Sequence, residues 1–429
     1  MKKIIIIGGG LTGLSAAYFL EKENISYTLI EKENTTGGLC KTLSVNGYKF
    51  DYTGHLLHLR SENIKNILFD ELNLKKLLSR HKRMSKILIS NRFVDYPFQA
   101  NINQLPEKIK NECIEGFKRR ISNIDVVSFK DWVKKYFGDG MGKYFFYPYN
   151  EKLWRMKCDK LSYEWTGRYI PQVSLNDIEN PPDQIGYNSY FYYPRNSGID
   201  ILPQTIENKL NSINMIKGEK VLSINYQNKT IKTEKETFKY DILINTSPLN
   251  KFLDMCSIEN DLKALSVFNL NIGFDKTTDN SIHWIYFPEE KFSFYRFGFY
   301  SHFNSNMAPA GKDSIYVEIS YKGDSIKLKN GILERDEIEN NLFIRSILNQ
   351  LKDAGIANGE IDLVHVNKIK PAYVIYDFYR KNNLDKFLKQ LEENEIYSIG
   401  RYGSWIYNSM EDNILQAWET VEKIKELHL

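Results

Sequence analysis

The chain has 429 residues, 42% hydrophobic and 26% charged, with 58 basic side chains against 54 acidic ones. That length exceeds what one core usually fills and predicts two or three lobes, and the near balance of charge excludes a nucleic-acid footprint while allowing a local anion site. Four cysteines, at 40, 113, 158 and 256, make no CxxC pair or disulfide framework. The opening MKKIIII has too short an apolar run for a secretory leader, and no window reaches the roughly 18 apolar residues of a membrane span. A cytoplasmic protein in a reducing compartment is expected.

The first sixty residues carry the clearest signal. Ile4 to Ile7 read as a strand buried on both faces, followed by Gly8, Gly10 and Gly13 in G-x-G-x-x-G spacing and then a helix. The first glycine makes the turn, the second admits a pyrophosphate, and the third lets helix pack on strand, with the helix N-terminus (Leu11, Thr12) aimed at phosphate. Glu31, with Lys32 after it, ends a second strand 18 residues beyond Gly13, where a carboxylate can accept from ribose hydroxyls. These features predict a bound dinucleotide. A second pair, Gly37-Gly38, with Leu39 following, brings more backbone to the same pyrophosphate, and the chain then enters a hairpin at Asn46-Gly47.

Residues 62–78 have helical periodicity, 86–98 read as a hairpin turning at Asn91-Arg92, and 104–175 are mostly helical up to the proline-rich loop 176–186. A helix near 200 precedes three strands, KVLSINYQ, KTIKTEKE and YDILINTSPL. Residues 262–330 are strand-rich, 335–353 helical, and 396–429 read as strand, glycine turn and helix. Within the strand-rich part, FSFYRFGFYSHF sets Arg296 among seven aromatic residues. A covered arginine needs an anion, either a carboxylate of the fold or a ligand. His55 and His58 lie three apart without a supporting ligand cluster, so no metal is expected.

The two glycine segments resemble flavoproteins of the amine oxidase and protoporphyrinogen oxidase superfamily, whose cofactor is FAD. The pieces YPFQANINQLP, YPYNEKLW, WTGR, NSYFYYP, FYR and GRYGSWIY resemble, in order, the UDP-galactopyranose mutase family, its eukaryotic form more than its bacterial one. The resemblance implies an α/β fold in which a Rossmann-type, glutathione-reductase-like FAD-binding lobe (1–64, 198–260, 396–429) is interleaved with a helical substrate lobe (100–190) and an antiparallel-sheet lobe (65–99, 261–395). It implies that Tyr96, Gln99, Phe145, Asn150 and Trp154 hold the nucleotide base and ribose, that Arg168 and Arg296 clamp the diphosphate, and that Tyr373 and Tyr407 add donors. It further implies that Asn188 would stand near the flavin and the leaving phosphate, that Gly54 and His55 would lie at the isoalloxazine edge, and that Val221 would lie beside the adenine. Gly400 and Arg401 meet the FAD pyrophosphate, and Asp412 and Asn413 approach the ribityl and pyrimidine end. The implied reaction interconverts pyranose and furanose forms of a nucleotide sugar through attack of reduced FAD N5 on the anomeric carbon, with NAD(P)H as a candidate reductant.

Tyr96, Phe145 and Trp154 are also compatible with plain core packing, and Arg296 with a core carboxylate, as the less favoured alternatives. The chain departs from the family pattern at Thr53, His58 and Arg155, which bears on the identity of the sugar and base. A flavin oxidase or dehydrogenase acting on an amine or other small molecule is the alternative, and a flavin-binding scaffold without turnover is a third.

Overall fold

The isoleucines Ile4–Ile7, all four buried, form the central strand of a five-stranded parallel sheet in the computed structural model, which describes residues 2–182, 185–186, 189–323, 325–356 and 359–428. The strand order is Ile396–Ser398, Ile242–Asn245, Ile4–Ile7, Tyr27–Glu31 and Met215–Lys217. Three separate stretches of chain therefore build one Rossmann-like sheet. The helix Leu11–Lys22 packs against the last helix, Met410–His428, and both share an apolar core with the sheet.

Of the three strands read after residue 218, only Ile242–Asn245 enters this sheet. Thr230–Thr233 pairs with Val221–Asn225 on one side and with a further strand, Thr237–Lys239, on the other, in a small antiparallel sheet that the sequence reading did not separate.

The second large layer has eight strands, in the order Gly331–Ile332, Ile361–Val374, Ala264–Phe274, Asp313–Tyr321, Arg296–Phe299, Trp284–Tyr286, Ser85–Ile89 and Arg92–Asp95. Its pairs are antiparallel except that Trp284–Tyr286 runs parallel to Ser85–Ile89. Two polar rows cross one face of this layer. Arg296 faces Glu318, which faces Asn269, which faces Asn367; beside them run Gly298, Tyr316, Asn271 and His365. Side chains two apart on a strand share a face, so the register puts Arg296, Glu318 and Tyr316 together. The helices Glu107–Lys118, Phe129–Tyr136 and Tyr147–Trp154 form a helical region around a core that includes Phe117, Phe129, Trp132 and Trp154.

Three local readings change. The expected helix over 62–78 is a short helix, Glu62–Asn66, then a wider turn over Ile67–Glu71; Asn73 takes a left-handed conformation (φ 55°) and stops it. The hairpin turn falls on Ser90-Asn91, whose φ of 49° and 58° suits a two-residue turn, and Arg92 pairs with Ile89. The helix over 335–353 breaks at Asn341, whose side chain accepts from the N–H groups of Phe343 and Ile344 and caps a new helix, Leu342–Asp353. Among the described residues no helix is long and apolar enough to cross a membrane.

Candidate functional site

The glycine turn is built by close approach. A Cβ on Gly13 would lie 1.9 Å from the Gly8 carbonyl oxygen, so only glycine lets the helix sit this near the strand. Gly13 does not line the cavity described below; its part is this packing. The Gly37-Gly38 segment bridges to Gly10, and a Cβ on Gly38 would come within 3.1 Å of the Gly10 Cα. The Glu31 carboxylate accepts from the Gly9 N–H at 2.6 Å and from the Glu33 N–H at 2.8 Å. It thereby fixes the turn and keeps oxygen lone pairs on the cavity side.

These segments open into a cavity of about 1250 Å³. A single small-ligand pocket usually holds about 300–1,000 Å³, so there is room for a dinucleotide and a second ligand. The cavity is lined by Gly8, Gly10, Leu11, Thr12, Glu31, Lys32, Gly37, Gly38, Leu39, Gly54, His55 and Val221, then by Arg401 and Asn413 from the C-terminal segment. Its other half is lined by Tyr96, Gln99, Phe145, Asn150, Trp154, Arg296, Tyr373 and Tyr407. Gly400 stays outside the lining, and a Cβ there would strike the Thr12 side chain at 2.4 Å. Asn188 lies outside the described residues.

The aromatic half is an ordered wall. Phe145 stacks between Phe98 (4.9 Å) and Tyr149 (5.4 Å), and Tyr96 packs on Tyr286 at 4.9 Å with the Arg83 guanidinium over its ring. Tyr373 and Tyr407 lie nearly parallel at 5.9 Å, and the Arg401 guanidinium sits 4.7 Å over Tyr407. Gln99 and Asn150 each spend an amide N–H internally, on the Pro171 and Phe146 carbonyls. The indole N–H of Trp154 and both amide atoms of Asn408 are buried without a hydrogen-bond partner among the described residues, and both residues line the cavity. These atoms lie beneath the cavity surface rather than on it. The glycine approach and Glu31 on one side, and Arg296, Gln99, Asn150 and the tyrosines on the other, fit a dinucleotide and a polar second ligand.

Arg296 lines the cavity and has a carboxylate partner as well. Its Nε and Nη2 donate to Glu318 Oε1 at 3.1 and 2.7 Å, and the Tyr295 hydroxyl donates to Oε2 at 2.5 Å. Glu318 is 0% exposed and Arg296 19%. The reading of this arginine as the partner of a core carboxylate therefore holds, and its place in the lining leaves it facing the cavity as well. Lys152, two residues after Asn150, donates to the Phe287 and Glu289 carbonyls at 2.8 and 2.6 Å, and burial pushes its amine down to about 7. It ties the helix of the aromatic wall to the segment leading into Arg296.

Arg168 is placed differently from expectation. It does not line the cavity but pairs with Asp412 and donates to the Tyr169 hydroxyl. Asp412 is likewise outside the lining, because its carboxylate also accepts from Arg60 and from the backbone and hydroxyl of Ser409, closing the first turn of the last helix. His55 lines the cavity as a neutral imidazole: burial, then the nearby Arg401 charge, lowers it to about 4.

The sequence reading missed Tyr149, Tyr286, Tyr316, Lys368 and Asn408, all in the lining. Tyr149 stands four residues after Phe145, a spacing that could have found it. Tyr286 and Tyr316 come from strands whose register was needed first.

Residues 6–72 match the NAD(P)-binding Rossmann-like domain family. The crystal structure of reduced UDP-galactopyranose mutase superposes with a TM-score of 0.89 at 27% identity, covering 100% of this chain and 94% of that one. The dTDP-fucopyranose mutase of Escherichia coli is 24% identical over 229 residues, 50% of this chain and 55% of that protein. A probable flavin-containing monoamine oxidase A of Dictyostelium discoideum is 32% identical over 125 residues, 29% of this chain and 26% of the relative. The chain thus spans about a quarter and about half of these two curated relatives. The mixed α/β architecture, with its Rossmann-like lobe and additional sheets, is that of UDP-galactopyranose mutase, and the resemblance to that family extends over the whole chain.

Proposed function

We propose that the protein is a flavin-dependent nucleotide-sugar mutase that interconverts pyranose and furanose forms, with UDP-galactopyranose or a related sugar nucleotide as substrate and FAD as cofactor. The observation that supports it most is the single cavity, which joins the phosphate-binding glycine turn to Arg296 and the aromatic wall. The whole-chain similarity to UDP-galactopyranose mutase and the half-chain similarity to dTDP-fucopyranose mutase support the same class.

The Gly8–Gly10 and Gly37–Gly38 backbones, Thr12 and Arg401 would hold the FAD pyrophosphate, with Glu31 at the ribose and Val221 toward the adenine. A reduced flavin supplies the nucleophile for the anomeric carbon. The chain's own residues have three tasks. Tyr96, Phe145, Tyr149 and Trp154 stack on the base and exclude water. Arg296, anchored to Glu318 through its Nε–Nη2 edge, presents positive charge to the departing diphosphate, as preorganised stabilisation of a leaving group requires. Tyr373 and Tyr407 supply neutral donors to the same oxygens, and His55, uncharged at neutral pH, orients without adding charge. Arg168 takes part only if ligand binding draws it from Asp412. A hydride donor of the NAD(P)H type would keep the cofactor reduced.

The test is direct. The purified protein is reduced with dithionite and offered UDP-galactopyranose, dTDP-fucopyranose and other nucleotide pyranoses, and products are separated at unchanged mass. Furanose isomers formed only by reduced protein are the expected result. Net oxidation of an amine with peroxide release, and no isomers, would replace the mutase by an oxidase.

A further inference from the structure

Tyr316 has no assigned role in the scheme above, yet its setting is specific. It lies beside Glu318 on the strand Asp313–Tyr321 and faces Gly298, which is two residues from Arg296 on the neighbouring strand. A Cβ on Gly298 would lie 2.4 Å from the Tyr316 ring tip, and a Cβ on Gly54, next to His55, would lie 2.4 Å from its hydroxyl oxygen. Two glycines on separate segments thus make space for one phenol. The residue is 1% exposed, lines the cavity, and its hydroxyl has no hydrogen-bond partner among the described residues. Burial raises its pKa far above the ordinary phenol range, so it remains a neutral donor and acceptor. The ring is buried, but the hydroxyl opens to the cavity and can pair with a ligand there; phenylalanine would fill the same glycine-lined space without offering that pairing.

On the reading that the cavity takes FAD and a nucleotide sugar, the Gly54–His55 loop faces the isoalloxazine and Arg296 faces the diphosphate. The phenol lies between those two groups, where the sugar must sit.

We propose that Tyr316 is a specificity-determining residue that hydrogen-bonds a hydroxyl of the transferred sugar. The inference rests on the mutase reading but can fail separately from it. The experiment compares wild type with Tyr316→Phe, measuring bound-flavin absorbance, affinity for UDP and dTDP, and affinity and KM for UDP-galactopyranose and dTDP-fucopyranose. The expected result is unchanged flavin content and nucleoside diphosphate affinity, with sugar-nucleotide affinity reduced about tenfold or more. A merely structural tyrosine would weaken the diphosphate and the sugar nucleotide together, or neither, and either pattern overturns the proposal. If wild type binds no nucleoside diphosphate in either flavin state, the mutase reading falls and this inference falls with it.

Discussion

Replacing Arg296 by alanine should have two separable effects, because the guanidinium serves the cavity on one side and Glu318 on the other. On the chemical side, loss of a preorganised donor to a leaving group typically costs about 3–4 kcal/mol of barrier, so turnover should fall by roughly 10²–10³. On the structural side, the variant leaves the fully buried Glu318 with the Tyr295 hydroxyl as its remaining side-chain partner. Two unit charges about 3 Å apart at an effective dielectric near 20 interact by about 5 kcal/mol, and removing one member of a buried pair costs about 3–5 kcal/mol. The double variant Arg296→Ala/Glu318→Gln removes the stranded charge, and Gln Oε1 can still accept from Tyr295. Urea unfolding of the holoprotein should therefore show Arg296→Ala strongly destabilised and the double variant recovering more than half of the loss. Turnover should stay low in both. Equal unfolding midpoints for the two variants would refute the buried-pair account, and turnover within threefold of wild type would refute the phosphate role.

Gly13→Ala should yield protein that no longer retains flavin, read from the absorbance of the desalted protein, because the added methyl meets the Gly8 carbonyl at 1.9 Å. Thr53 is β-branched yet held at φ 72°. Thr53→Asn should relieve about 1 kcal/mol of left-handed strain and raise the melting temperature by a degree or two. Acid should destabilise the fold: burial lowers His55 and His58 to about 4 and His283 to about 3, against an ordinary 6.5. These groups stabilise above pH 6.5, where both states are neutral, and lose that contribution as pH falls toward their folded values. Asp51, raised by burial to about 7, works oppositely over about pH 4–7, since its folded form holds the proton. These three histidines against that one carboxyl leave about two protons, or roughly 3 kcal/mol per pH unit near pH 5, and His81, His302 and His365, lowered by burial too, add in the same direction. Melting temperature should drop between pH 7 and 5, and His58→Gln should shallow that drop; a flat profile would contradict the assignment.

What the sequence made legible was chemistry carried within one segment. The turn from Gly8 to Gly13 and its acceptor Glu31 are set by a single strand–turn–helix–strand unit, and short-range spacing is enough to place them. The wall residues Phe145, Asn150 and Trp154 share one helical stretch and could be read together. Arg296 was legible as a cation needing an anion, but its partner was not, because Glu318 comes from the next strand of the layer and only the register identifies it. The same reason hid Tyr316 and the buried asparagine rows. Arg168 resembles a phosphate ligand in sequence, and only the fold shows that the first turn of the final helix supplies Asp412 to hold it. The turn at Ser90-Asn91 was misplaced by one residue because both positions can adopt left-handed backbone, and the choice depends on strand register.

The parallel sheet has a consequence for synthesis. Its middle strand is made before the other four, whereas Ile396–Ser398, at the far edge, is made after them. Until then the strand Ile242–Asn245 offers an unpaired apolar edge, and the closing helix that buries one face of Leu11–Lys22 does not yet exist. Nascent chains and truncations that lack this strand and helix should accordingly recruit chaperones, and a dinucleotide should bind only after both have been made.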